Sequence, residues 1–133
     1  MKDYGLHRRV LFLGTVENAA LPEAYKNADL LVFLSRFEGN LAVVMESMTS
    51  GTPVVSLDTT PGANEVILHG QNGLLSSPVY LARDVRGLVR DRSRLNQMAK
   101  PGRQRIIQEY NLFCPFEAHR NFCANIVVDG RRS

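Results

Sequence analysis

Three largely apolar, non-alternating runs of strand length punctuate the first half of the chain. Val10-Leu11-Phe12-Leu13 is closed by Gly14, Leu30 to Leu34 leads into the polar turn Ser35-Arg36-Phe37-Glu38-Gly39-Asn40, and Val54-Val55-Ser56-Leu57 is opened by Pro53. A run that does not alternate predicts a strand buried on both faces, because both sides of its pleat must meet a packed layer. Between the runs the period becomes helical. Leu21 to Ala28 predicts a short helix with Pro22 in its first turn, where a missing N–H costs nothing. From Leu41 to Ser50, the residues Leu41, Val44, Met45 and Met48 fall at helical spacing and Gly51 supplies the stop.

Buried strands separated by helical segments imply parallel pairing through crossover helices. The fold class predicted is therefore α/β: a Rossmann-like, doubly wound parallel sheet with a helical C-terminal tail. A short helical turn through Glu65-Val66-Ile67 and the turn His69-Gly70-Gln71-Asn72-Gly73 precede a last short strand at Leu74-Leu75. The rest reads as helical, at about 78–91, about 92–110 with Pro101-Gly102 breaking or bending it, and about 115–128. One domain over 1–133 thus divides into a sheet part (about 1–77) and a helical part (about 78–130).

Composition narrows the class. A chain of 133 residues buries roughly two-thirds of its unfolded surface and needs no disulfide or metal staple. With 44% apolar and 22% charged residues, disorder is excluded. The longest apolar run, Leu30 to Leu34, is far short of the roughly 18 residues of a membrane helix. Met1 to Leu6 contains no signal-peptide core. Cys114 and Cys123 are too few for a disulfide framework, and reduced thiols in a cytoplasmic protein are the economical reading.

The net charge of +3 hides an asymmetry: residues 1–82 hold five basic and eight acidic side chains, residues 83–133 eleven basic and five acidic. A basic half can serve nucleic acid or an anionic membrane surface. Arg83, Arg86, Arg90 and Arg94 lie on a predicted helix without interleaved aromatics, so a solvated helical face is the stronger reading and nucleic acid is not expected. Weak peripheral contact with an anionic, inner-membrane surface remains the second reading.

Ligands of open parallel sheets gather at the carboxyl ends of strands, where loops lead into helices. The loop Ser35–Asn40 is the most informative of the three here. It ends in Glu38 and Gly39 before a helix whose first N–H groups, near Asn40, Leu41 and Ala42, have no intrahelical acceptor and suit a phosphate. Glycine at 39 lets a ligand approach the backbone. Glu46 lies five residues beyond Leu41, about 7.5 Å along a helix, on the face shared with Ala42, Thr49 and Ser50 rather than on the apolar stripe. Two carboxylates that accept hydrogen bonds from diols, with a phosphate site between them, suit a sugar nucleotide. Either glutamate taken singly is more often a solvated or turn residue, and the weight comes from the flanking strand, turn, helix and Gly51-Thr52-Pro53-Val54-Val55.

The segment Ser35 to Val55, with Glu38 and Glu46 separated by seven residues, resembles the donor-binding segment of the retaining GT-B glycosyltransferases of the group 1 family. The resemblance extends over Val10 to Val16, Leu21 to Val32 and Glu65 to Leu75. It implies transfer of a sugar from a nucleotide diphosphate to an acceptor hydroxyl with retention of configuration, and no bound metal or other cofactor. Glu38 is implied as the catalytic-site carboxylate that accepts from donor-sugar hydroxyls. Gly39, Asn40 and Leu41 would hold the sugar, and Leu41 and Ala42 the distal phosphate. Glu46 would bind the ribose diol, and the backbone near Val16 the base. Catalysis would rest on stabilising the departing diphosphate.

Two departures qualify the resemblance. Asn40-Leu41 stands where Phe-Gly is common, which bears on donor choice. The family's opening strand–helix–strand–helix segment, with its glycine-rich turn and basic pair, and its N-terminal acceptor-binding domain have no counterpart in these residues; Arg8, Arg9 and Arg36 do not match the pair. The chain is thus expected to be a partial donor-binding domain, inactive alone. Such truncation also motivates an alternative, a non-catalytic remnant or interaction module that self-associates through an exposed sheet edge. A GT-B-type sugar-nucleotide epimerase is the third and weakest reading. Of the remaining candidates, His69 is expected at the surface, Asp58-Thr59-Thr60 can line a cleft, and Glu65 either approaches that cleft or caps its helix.

Overall fold

The computed structural model describes residues 5–36 and 41–110. The predicted helix at 115–128, the residues Cys114, Cys123 and His119, and the site candidates Glu38, Gly39 and Asn40 lie outside them.

Helix α1 (Leu21–Lys26) leads to strand β1 (Leu31–Phe33), helix α2 (Ala42–Thr49) and strand β2 (Val54–Leu57). The short helix α3 (Ala63–Val66) and strand β3 (Leu74–Ser76) follow, and then helices α4 (Leu81–Arg90) and α5 (Arg92–Arg105). The three strands form a parallel sheet in the order β1-β2-β3. Leu31 is aligned with Val54, and Val55 with Leu74.

Alternation along the strands sorts the core into two layers. Val54 and Leu75 face one cluster with Leu41, Val44, Met48, Val66, Ile67 and Ile106. Val55 and Leu74 face the other, with Leu88, Leu95 and Met98 from α4 and α5. This is the doubly wound arrangement that uninterrupted apolar strands require.

Helix α5 joins the layers. Leu95 and Met98 pack on one side of the sheet, whereas Ile106, immediately beyond its end, packs on the other with α2. Pro101 does not break the helix, which runs to Arg105 and widens into a π-helical turn over Ile106–Tyr110. Gly102 lets α5 approach closely: a Cβ there would lie 3.2 Å from the Asn72 carbonyl oxygen and 3.2 Å from Met48 Cε. Asn72 itself is buried, accepting from the Leu68 N–H at 2.7 Å and donating to the Val66 carbonyl at 3.2 Å. It closes the turn that delivers Gly73 to β3.

The sheet corrects two expectations. Val10–Leu13 forms no ladder, and its side chains are exposed, Leu11 by 81% and Phe12 by 89%. An apolar run has the capacity for a buried strand, but it becomes one only with a backbone partner and a layer on each face. The second run forms β1 as expected, yet not fully buried: Val32 is 37% exposed and Leu34 50%. β1 is the edge of the described sheet and pairs with β2 alone.

Candidate functional site

Helix α2 follows the carboxyl end of β1 and begins at Leu41, whose backbone carbonyl accepts the first helical bond, from the Met45 N–H at 3.0 Å. Leu41 at the N-cap position offers no side-chain acceptor to this end, and no acidic residue lies in the first turn. The opening N–H groups of such a helix, Ala42 among them, have no intrahelical acceptor, and with the positive end of its dipole they have the chemical character of an anion site. Leu41 is buried, its side chain part of the apolar cluster under the sheet, and Ala42 is half-buried.

Glu46 lies one turn further along, with only 9% of its surface exposed. The face it shares with Thr49 and Ser50 is buried as thoroughly as the apolar stripe, because α1 packs over it. A carboxylate in such surroundings needs donors. One is Tyr25 of α1, whose hydroxyl donates to Glu46 Oε2 at 3.1 Å. Burial raises the phenol's pKa, and the Glu46 charge and hydrogen bond raise it further, so Tyr25 is a neutral donor across the physiological range.

The surrounding bonds hold α1 and α2 in register. Thr52 Oγ1 donates to the Tyr25 carbonyl at 2.6 Å, Ser47 Oγ to the Thr52 carbonyl at 3.2 Å, and Ser50 Oγ to the Glu46 carbonyl at 2.9 Å. Neither Tyr25 nor Thr52 was among the sequence candidates. Their signal was available only indirectly, as the need of a carboxylate inside a buried helix for a donor on the preceding helix.

The remaining candidates distribute as follows. Val16 is half-buried in the segment ahead of α1. Thr60 is buried and donates to the Ser35 carbonyl at 2.7 Å, tying the loop after β2 to the loop after β1, while Asp58 and Thr59 are exposed. The Glu65 carbonyl accepts from Arg105 at 3.0 Å and from Tyr110 at 2.8 Å, so its backbone anchors the end of the helical tail. His69 is exposed, as expected, and its Nδ1 accepts from the Leu75 N–H at 3.2 Å.

Residues 1–105 match the family model described as "Glycosyl transferases group 1". The chain belongs to this group 1 glycosyltransferase family. An uncharacterized glycosyltransferase of Methanocaldococcus jannaschii is 37% identical over 86 residues, 59% of this chain and 22% of the relative. The alpha-1,3/1,6-mannosyltransferase ALG2 of Dictyostelium discoideum is 28% identical over 122 residues, 90% of this chain and 29% of the relative. Among solved structures, sucrose-phosphate synthase from Thermosynechococcus elongatus superposes with a TM-score of 0.77 at 25% identity, over 98% of this chain and 31% of that one. The C-terminal domain of a glycosyl transferase group 1 family protein, LpcC, from Francisella tularensis gives a TM-score of 0.71 at 24% identity, over 80% of this chain and 56% of that one, a likeness of fold. This group 1 chain thus has part of a GT-B domain and spans less than a third of the length of these curated relatives. Among its described residues no helix is long and apolar enough to cross a membrane.

Proposed function

We propose that this group 1 chain is the donor-binding part of a retaining glycosyltransferase, taking a nucleotide-diphosphate sugar whose glycosyl group passes to an acceptor hydroxyl. The observation that carries the reading is Glu46. It is an almost fully buried carboxylate, held by a neutral phenol, one turn into the helix that follows the carboxyl end of a parallel strand. In this reading Glu46 accepts from the ribose diol, and the N–H groups near Leu41 and Ala42 take the distal phosphate. Glu38, Gly39 and Asn40 meet the donor sugar, and the backbone near Val16 meets the base. The leaving diphosphate gains negative charge as the glycosidic bond breaks, and the helix start stabilises that charge more in the transition state than in the ground state. The chain alone is proposed to bind donor without transferring the sugar, and the acceptor is handled by residues beyond these 133.

Isothermal titration with UDP, GDP and ADP tests the reading. Binding of one of them, weakened by about tenfold or more in Glu46→Ala, is the expected result; no binding by any, with Glu46→Ala indistinguishable from wild type, would reject it. The exposure of Leu11, Phe12 and Leu13 favours a second reading, an interaction module that buries this segment against another copy. Light scattering that shows a monomer at all concentrations would count against it.

A further inference from the structure

Whatever accepts a hydrogen bond from a ligand must itself be held, or the ligand bond is offset by the entropy of fixing the side chain. Glu46 has three rotatable side-chain bonds, and a residue from another element fixes its far end. From the hydroxyl of Tyr25 on Oε2 at 3.1 Å, together with the Thr52 bond that pins the Tyr25 backbone, we infer that Tyr25 is the positioning residue of the donor site. It fixes the Glu46 carboxylate in the geometry that selects a ribose diol over a deoxyribose. This inference rests on the proposed role of Glu46 and adds a specificity function that neither glutamate supplies alone.

The chemistry supports a positioning role rather than a ligand role. A tyrosine hydroxyl has one proton to give, and Tyr25 gives it to Glu46. Each carboxylate oxygen offers two acceptor directions, so the tyrosine bond occupies one on Oε2 and biases the orientation of the others. A diol delivers two donors at fixed separation and gains from an acceptor with fixed orientation; a single hydroxyl gains much less.

The anchoring runs through the backbone as well as the side chain. Thr52 is buried at the start of the segment entering β2, and its hydroxyl holds the Tyr25 carbonyl at 2.6 Å. The Thr52 carbonyl in turn accepts from Ser47, the residue after Glu46. Tyr25, Thr52, Ser47 and Glu46 thereby form a closed path: side chain to side chain at one end, and side chain to backbone at the other two joints. Displacement of α1 would move the phenol away from Oε2.

The experiment compares ribo- and 2′-deoxyribonucleotides on the full 133-residue chain by titration. UDP, GDP and ADP identify the base, and the 2′-deoxy counterpart of whichever binds completes the pair. Wild type is expected to prefer the ribonucleotide by about tenfold, the worth of one hydrogen bond to a charged group. Tyr25→Phe is expected to lower that preference to about threefold or less by weakening only the ribonucleotide. Glu46→Gln, which can no longer accept from both diol hydroxyls, is expected to abolish the preference. Equal weakening of both nucleotides by Tyr25→Phe, or an unchanged ratio, would overturn the positioning role while leaving the donor site intact. A preference unaffected by Glu46→Gln, or no binding by any of the three nucleotides, would instead reject the donor-site reading and this inference with it. Should Tyr25→Phe lose its cooperative thermal transition, Thr52→Val is measured by the same ratio. A fall supports the inference and an unchanged ratio overturns it.

Discussion

Strand β2 and the run Val10–Leu13 consist of the same kind of residue and occupy opposite surroundings. All four residues of β2 are buried, between two partner strands and two layers of helices. All four residues of the earlier run are exposed and form no ladder. Strand β1 stands between them: paired on one edge, half-covered on its faces. The gradient shows that apolar sequence is a capacity for burial and that neighbours decide whether it is used. It also separates a core that carries stability from a surface available for contact.

The largest expected effect is at the centre of the buried region. Met48→Ala removes a side chain that is 1% exposed and lies in van der Waals reach of α5 at Gly102. It should cost about 2–5 kcal/mol in urea unfolding; a change near zero would mean that α2 is not anchored as described. Gly73→Ala comes next, because a Cβ there would lie 2.8 Å from the Val54 carbonyl oxygen. Overpacking against backbone should cost about 1–3 kcal/mol, read in the same assay.

Phe12→Ser sharpens the comparison from the other side. With the side chain 89% exposed, the change should lie within about 0.5 kcal/mol of wild type. A loss comparable to that of Met48→Ala would show that the run is buried in solution, and concentration dependence of that loss would identify self-association.

The smallest effect is expected at acid pH. Ser76 Oγ donates to Asp84 at 2.7 Å, and Arg83 pairs with the same carboxylate, so the folded carboxyl titrates below its ordinary value of 3.8. A depressed carboxyl binds its proton more readily in the unfolded chain. Its stabilisation is therefore complete above about pH 5 and is lost as pH falls below 4 through the folded value. Asp84→Asn should flatten that part of a melting-temperature profile and leave the profile above pH 5 parallel to wild type. An acid limb of unchanged slope would remove Asp84 from its cause.

Much of the fold could be read along the chain. Val54–Leu57 and Leu74-Leu75 became strands where their apolar runs lie, and Gly51, with φ of +85°, ends α2 as a glycine in the left-handed region does. The helical period of Leu41, Val44 and Met48 marks the face that packs beneath the sheet. Legibility failed where the outcome depends on a partner distant in sequence. Val10–Leu13 satisfies every local criterion of a buried strand and lacks the neighbours. Pro101-Gly102 has the local signature of a break, yet the helix continues through it, and Gly102 serves there as the point of close approach to Asn72 and Met48.

The candidate site divides in the same way. The spacing of Glu38 and Glu46 and the helical period that follows are properties of neighbouring residues, so reading along the chain was enough to point to the family and to raise the expectation of a sugar-nucleotide site near α2. The burial of Glu46, and the bond from Tyr25, twenty-one residues earlier, to its carboxylate, come from the packing of α1 on α2. Packing likewise decides that one apolar run becomes the central strand while another stays at the surface. Periodicity and turn chemistry are local, and a chain carries them in order; burial and the partners of a charge depend on which segments pack together, which no window along the chain contains.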